Sequence, residues 1–400
     1  MTGQPAGLVH GMGKELVEPD WPPLTDGEAR EVLARYPGLA SGATPATVVG
    51  WRSPRPMSAA ALVRVGGSEV FIKRHHRRVR SATQLAAEHA FAGYLGRHGI
   101  PVPAVQRAVD RQTCVQLGDY VYEVQAMAAG ADDYRDAMSW TPFRYPGHAR
   151  AAGAMLARLH QAAAGFARPA RPPAVLMNSA VVITGADPLA AVAAIAGRRP
   201  GLARYLAGRD WRAELARDLL PAIGRAAPHL ATLPPQWGHG DWHPSNLTWD
   251  GTGADARAAT VLDFGLANRT FAIHDLAIAL ERSAFGWLDL DGSGRAGTDL
   301  AAIGALLDGY QSVRPLTPAE AAALPAVLPV AHVEYALSEA EYFADVVGAP
   351  ALADLAYDGY LLGHARWFAT PDGRAALGHL RDRLARPAAG PAAAGSAVTG

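Results

Sequence analysis

The turn GHGDWHPSNLTWD (238–250) constrains this chain more than any other stretch. It interrupts a long region whose apolar residues recur at helical spacing, and a run beginning TVLDFG starts ten residues later, with Asp263 at the end of its apolar stretch. The intervening SNLTWDGTGADARAATVLDF reads as a β-hairpin. Any fold must therefore bring a His-Gly-Asp turn, an Asn five residues past Asp241 and a strand-end Asp into one place.

Those residue types suggest chemistry. Asp241 beside a hydroxyl can accept its proton, and Asn246 can offer its carbonyl oxygen to a divalent cation. Asp263, next to Phe264-Gly265, can hold Mg²⁺ against phosphate oxygens. Mg²⁺ takes oxygen ligands and keeps several waters, so one Asn, one Asp and phosphates suffice. Phosphoryl transfer asks for little beyond positioning, metal charge and an orienter for the hydroxyl.

The rest of the chain divides in two. EAREVLARYPG predicts a short helix over residues 27–36, within an extension covering 1–44. ATVVGW, AALVRV and EVFIKRH read as strands, with Gly66-Gly67 turning the last two, and two more strands flank Gly118-Asp119. SATQLAAEHAFAGYLGRHG reads as a helix capped by Ser81 and ended by Gly99. From Gly130 helical patterns dominate, including RAELARDLLPAIGRAAPHL and PAEAAALPAVLPVAHVEYALSEAEYFADVV. The expected fold is α+β: a β-rich lobe over 45–128, a connector near 125–131, a mainly helical lobe over 129–387 and a disordered tail over 388–400. A cleft between lobes is a natural ligand site.

Composition narrows the setting. Formal net charge is zero, so nothing global points to nucleic acid or an anionic membrane. Cys114 is the only cysteine, which excludes an intrachain disulfide or a cysteine zinc site and fits a reducing, cytoplasmic location. The N-terminus does not read as a signal peptide. No apolar run approaches the roughly 20 residues of a membrane span.

HGDWHPSN followed by VLDFG resembles the aminoglycoside phosphotransferase family of small-molecule kinases, whose fold is similar to that of protein kinases. The resemblance covers about residues 45–385. It implies a bilobal protein-kinase-like fold, ATP and Mg²⁺ as cofactors, Asp241 as the catalytic Asp, and Asn246 with Asp263 as metal ligands. His239 would position the catalytic turn by bonding backbone. His243, on the solvent side of the turn, is a candidate substrate contact, with a surface histidine as the alternative. Asp275, at the start of the next helix, would brace the turn by accepting backbone N–H bonds.

Lys73 in EVFIKRH is one of two lysines in the chain, with Lys14. Its retention inside a strand, where Arg serves nearly everywhere else, points to a compact ammonium on the nucleotide phosphates. Glu88, the only acidic residue of the following helix, is its expected partner. The resemblance places adenine against the connector, around Gln125, Ala126 and Met127. No glycine-rich loop precedes Lys73; Ser53 and Ser58 are the candidate phosphate contacts there.

The acceptor is less defined. From Thr270 to Leu362 thirteen Asp and Glu face three Arg. Acidic walls would concentrate a cationic acceptor; Asp289, Asp291, Glu334, Glu339, Glu341 and Asp345 are candidates, with Trp287, Trp367 and Tyr335 as walls or core. The basic run KRHHRRVR (73–80) reads as a solvated loop, not a nucleic-acid site. A small-molecule hydroxyl is the expected acceptor: an aminoglycoside-like antibiotic, as in resistance, or an amino sugar, choline or homoserine. The rival is a catalytically silent, kinase-like nucleotide-binding module; the complete Lys73, Asp241, Asn246 and Asp263 set argues against it.

Overall fold

A computed structural model describes residues 8–12, 15–39, 47–287 and 297–385. Two short strands, β1 (Val9–His10) and β2 (Leu16–Val17), open the chain, followed by helix α1 (Asp26–Leu33). A capping box between Thr25 and Glu28 starts α1. The first lobe is one antiparallel sheet of β3 (Thr47–Arg52), β4 (Ala59–Val65), β5 (Ser68–His76), β6 (Val115–Leu117) and β7 (Tyr120–Ala126), ordered β3-β4-β5-β7-β6. Register places Lys73 of β5 between Ala60 of β4 and Glu123 of β7. One face of the sheet packs Val63, Ile72, Tyr122 and Val124 against Leu24, Val32, Leu33 and Tyr36, so α1 closes a small core of its own. The other face carries helix α2 (Ala82–Arg97), capped by Ser81 and Gln84.

The second lobe is helical, built around α3 (Pro146–Ala163) and the buried helix Ala272–Ala284. It holds two small sheets: the hairpin β9 (Leu247–Asp250) with β10 (Arg257–Val261), and β8 (Pro235–Gly238) with β11 (Asn268–Phe271). The hairpin lies where the sequence placed it. The β8–β11 pair does not announce itself, because each strand is short and its partner lies some thirty residues away.

Two long helical readings break at prolines. The stretch 212–230 divides into Trp211–Asp218 and Leu220–Leu230, with Pro221 opening the second. The stretch 318–347 runs as Pro318–Val327, a tight turn at Leu328–Val330, Val333–Glu341 and a wide, π-type turn at Tyr342–Val347. Pro329 lacks the N–H a regular helix needs there. Contrary to the sequence expectation, Pro318–Val347 is long and apolar enough by composition to cross a membrane; its most apolar window is 83% buried within this lobe, as a core helix would be.

Candidate active site

The catalytic turn is fixed from behind. Asp275, in the first turn of the buried helix, accepts the N–H of His239 on Oδ2 at 2.7 Å and that of Gly240 on Oδ1 at 2.7 Å. His160 bonds Asp275 Oδ2 at 3.0 Å. Burial alone would raise the Asp275 pKa, but these donors hold it below its ordinary value. The His239 ring bonds backbone at both nitrogens: Nε2 donates to Leu262 O at 2.8 Å and Nδ1 accepts from Asp241 N at 3.2 Å. Burial pushes its pKa down, so it stays neutral in that tautomer. Gly240 has φ +75° and passes so close to the Leu266 carbonyl that a Cβ would collide with it.

The motif residues converge. Asn246 Nδ2 donates to the Asp241 carbonyl at 2.9 Å and to Asp241 Oδ2 at 3.1 Å. Asp263 leaves β10 with φ +51°, a left-handed backbone that a non-glycine residue adopts at a cost of about 1 kcal/mol or more. That twist directs its carboxylate into the cleft, where Oδ2 receives the Lys73 ammonium at 2.7 Å and Oδ1 the Gly265 N–H at 3.2 Å. Burial works against the Lys73 charge, yet Asp263 and Glu123 hold its pKa above the ordinary value.

The expected Lys73–Glu88 pair is absent. Two arginines capture Glu88 instead: Arg80, Nε at 3.1 Å, and Arg171. Arg171 reaches Glu88 from 83 residues downstream, which local spacing cannot reveal. The carboxylate opposite Lys73 is Glu123, bonded by His75 at 3.1 Å, His89 at 2.8 Å and Gln125 at 2.7 Å. Burial would raise the Glu123 pKa; the two histidines hold it well below the usual range.

Two cavities meet here. The first, about 250 Å³, lies under the β3–β4 loop and runs to the connector. Trp51, Leu62, Phe71 and Val105 give it apolar walls, and Gln125, Ala126 and Met127 lie on its lining. The Ala126 N–H is already used by Ala104 O at 2.8 Å, so that amide is not free for a base. Ser53 also lines this cavity. The second, about 210 Å³, is lined by Asp241, His243, Trp140, Tyr335, Glu339 and the N-terminal His10, Gly11 and Met12. Arg55, Ser58, Lys73, Asn246, Asp263 and Gly265 border both.

Burial changes where several of the acceptor-site candidates sit, although His243 stays on the lining of the second cavity. His243 does not face solvent: it is 4% exposed, 3.5 Å from Asp241 Oδ1, and desolvation with the Arg55 charge lowers its pKa to about 3. Glu334 points away from the cleft and accepts the Val182 N–H. Glu341 is paired with Arg199, and Asp345 with Arg78 and Arg204. These carboxylates look like a solvated face in sequence, but the Val333–Glu341 helix is buried all round. Only Glu339 reaches the second cavity; burial, opposed by Arg282, raises its pKa to about 8. Trp287 stacks on His364 at 3.7 Å within the core, and Trp367 is buried there too. Asp289 and Asp291 lie outside the described residues. The run 73–80 is paired internally, through Arg74 to Glu28, His75 to Glu123, Arg77 to Asp119 and Arg78 to Asp345.

Sequence reasoning missed Arg282. Its guanidinium contacts Asp241 Oδ1 and lies over the rings of Trp140 and Tyr335, at 5.0 and 4.8 Å from their centroids. In DLAIALERS it reads as an exposed helix charge, and only the full burial of that helix changes its meaning.

A two-lobed, kinase-like fold with Lys, two Asp and Asn converging where two cavities join defines a small-molecule phosphotransferase. The chain belongs to the phosphotransferase enzyme family, whose model matches residues 58–316. It is 28% identical over 310 residues to a homoserine kinase of Gluconacetobacter diazotrophicus, spanning 76% of this chain and 80% of that protein. It is similar in fold to an aminoglycoside phosphotransferase of Alicyclobacillus acidocaldarius, with a TM-score of 0.51, 18% identity, and 91% of this chain and 97% of that one covered. An amicoumacin kinase, solved in complex with AMP-PNP, Ca²⁺ and Ami, gives a TM-score of 0.51 at 16% identity over 82% of this chain and 96% of the other.

Proposed function

We propose that this chain transfers the γ-phosphoryl group of ATP, held with Mg²⁺, to a hydroxyl of a small acceptor that carries an ammonium group. The observation that carries this reading is the junction: Lys73, Asn246 and Asp263 border both cavities, while Asp241 borders only the second. The first cavity suits a nucleotide, with apolar walls for the base and Lys73 for the phosphates. Asn246 and Asp263 fit Mg²⁺: both offer oxygen to the cleft, and the amide nitrogen of Asn246 is held by Asp241, which leaves its carbonyl oxygen without a hydrogen bond among the described residues. When bound, the ion would neutralise phosphate charge.

Asp241 orients the acceptor hydroxyl and takes its proton. Asp275 and His239 hold the turn that aims it. Glu339, which lines the second cavity, is the carboxylate that an acceptor ammonium would meet, and a cation there would favour its charged form. The homoserine kinase relative favours an amino-acid alcohol over a large antibiotic, and about 210 Å³ suits a molecule of that size. The test is phosphate transfer from ATP with Mg²⁺ to homoserine, related amino alcohols, choline, amino sugars and aminoglycosides. Transfer to one acceptor, abolished by Asp241→Asn, supports the reading; failure to bind nucleotide ends it.

A further inference from the structure

We propose that Arg55 is a second cationic contact, beside Lys73, for the phosphoryl group in flight. This deepens the kinase reading and rests on it. Arg55 sits at the centre of the loop joining β3 to β4, ahead of the segment that the family model matches. It is one of six residues that border both cavities, and the only arginine among them. Its Nη1 donates to Ala137 O at 2.6 Å and meets His10 Nδ1 at 3.0 Å. Nε and Nη2 make no hydrogen bond among the described residues. One edge of the guanidinium is thus anchored and the other is left for a ligand.

The anchor joins three parts of the chain: the N-terminal β1, the β3–β4 loop and the segment after the connector. His10 acts as the acceptor in it. Burial and the Arg55 charge lower its pKa to about 4, so Nδ1 keeps its lone pair at neutral pH. Arg55 also faces Asp263 and Asp132, whose charges oppose the burial that brings its own pKa to about 10. A guanidinium tethered on one side and poised beside the metal-binding carboxylate is placed where negative charge spreads over the equatorial phosphoryl oxygens. Its planar fork can take two of them, which the Lys73 ammonium cannot. In the reaction the bond from the γ-phosphorus to the bridging oxygen breaks, that to the acceptor oxygen forms, and ADP leaves. Arg55 exchanges no atom or electron and stabilises only the charge.

The test does not need the acceptor. MgADP binding is measured by calorimetry on the full chain, with and without aluminium fluoride, which mimics the phosphoryl group in transfer. The wild type should bind MgADP more tightly with the fluoride, by at least on the order of tenfold. Arg55→Gln should lose that gain with its MgADP affinity unchanged, and Arg55→Lys should keep part of it. His10→Ala, which frees the tether but keeps the cation, should retain most of it. An undiminished gain in Arg55→Gln overturns the proposal, as does an equal loss of plain MgADP affinity or a wild type with no gain. If Arg55→Gln melts early, Arg55→Lys with an unchanged melting temperature carries the comparison. A wild type that binds no MgADP removes the kinase reading itself, a result separate from these.

Discussion

Arg282 and Asp241 form an ion pair beside the second cavity, the arginine 1% exposed and the aspartate 19%. The guanidinium lies behind the carboxylate, held between two aromatic faces, so Asp241 has a fixed position before any acceptor arrives. Replacing Arg282 by Gln leaves Asp241, Glu281 and Glu339 without their shared cation. Removing one partner of a buried pair costs about 3 to 5 kcal/mol, which denaturant unfolding would register. In the Asp241→Asn background the same change should cost less; equal costs in both backgrounds would show that the pair does not couple.

Asp241→Asn should lower the transfer rate by about 10² to 10⁴, the range for a proton acceptor in the transition state, while nucleotide affinity stays near that of the wild type. Single-turnover kinetics separates the two. A mutant that transfers at the original rate would remove Asp241 from the chemistry.

Asp275→Asn should loosen the turn that presents Asp241. One Asp275 oxygen becomes an amide nitrogen facing the N–H of His239 or Gly240, a buried mismatch of about 1 to 3 kcal/mol. Both stability and kcat should fall, with nucleotide binding unchanged in titration.

Glu339→Gln should raise KM for an ammonium-bearing acceptor by on the order of tenfold or more, as expected when a charge-assisted hydrogen bond worth about 1.5 to 3 kcal/mol is lost. KM for ATP should not move. An unchanged acceptor KM would place the ammonium group elsewhere.

Glu334 sets a pH dependence of stability. Burial raises its folded pKa to about 8, against 4.5 unfolded, so between those values the native state holds more protons than the unfolded one. Stability from this group is therefore full below pH 4.5 and declines as pH rises towards 8. Glu334→Gln should flatten the fall in Tm between pH 5 and 8, which a series of thermal melts would measure. An unchanged slope would mean that Glu334 is ionised in the folded protein.

What the sequence made legible was local. Lys73, Asp241, Asn246 and Asp263 could be picked out because each stands at a fixed offset within one strand, turn or hairpin, and the fold brings all four together. The turns expected at Gly66-Gly67 and Gly118 form, with Gly66 and Gly118 in the positive φ that glycine allows. What was not legible was the pairing of charges across the fold. Glu88 lost its lysine to Arg80 and Arg171, and Arg282 was hidden in a helix whose polar residues face inward. The acidic excess of the helical lobe misled for the same reason. Charge counts along a chain carry no depth, and Glu334 and Glu341 are buried against their own partners.

The connector is pinned to the helical lobe. Thr248 and Thr260 both donate to the Ala129 carbonyl, and Ala131 pairs with Trp249. Gly130 fits tightly against Ala259. At the other end, β7 is held in its sheet as far as Ala126. Any rocking of one lobe over the other must therefore pivot at Met127 and Ala128. The N-terminal strap bridges the cleft: Trp21 stacks on His76 of one lobe and bonds Tyr342 of the other. The two lobes are thus joined a second time by a tether that lies ahead of both in the chain and includes no residue of the phosphoryl-transfer motif.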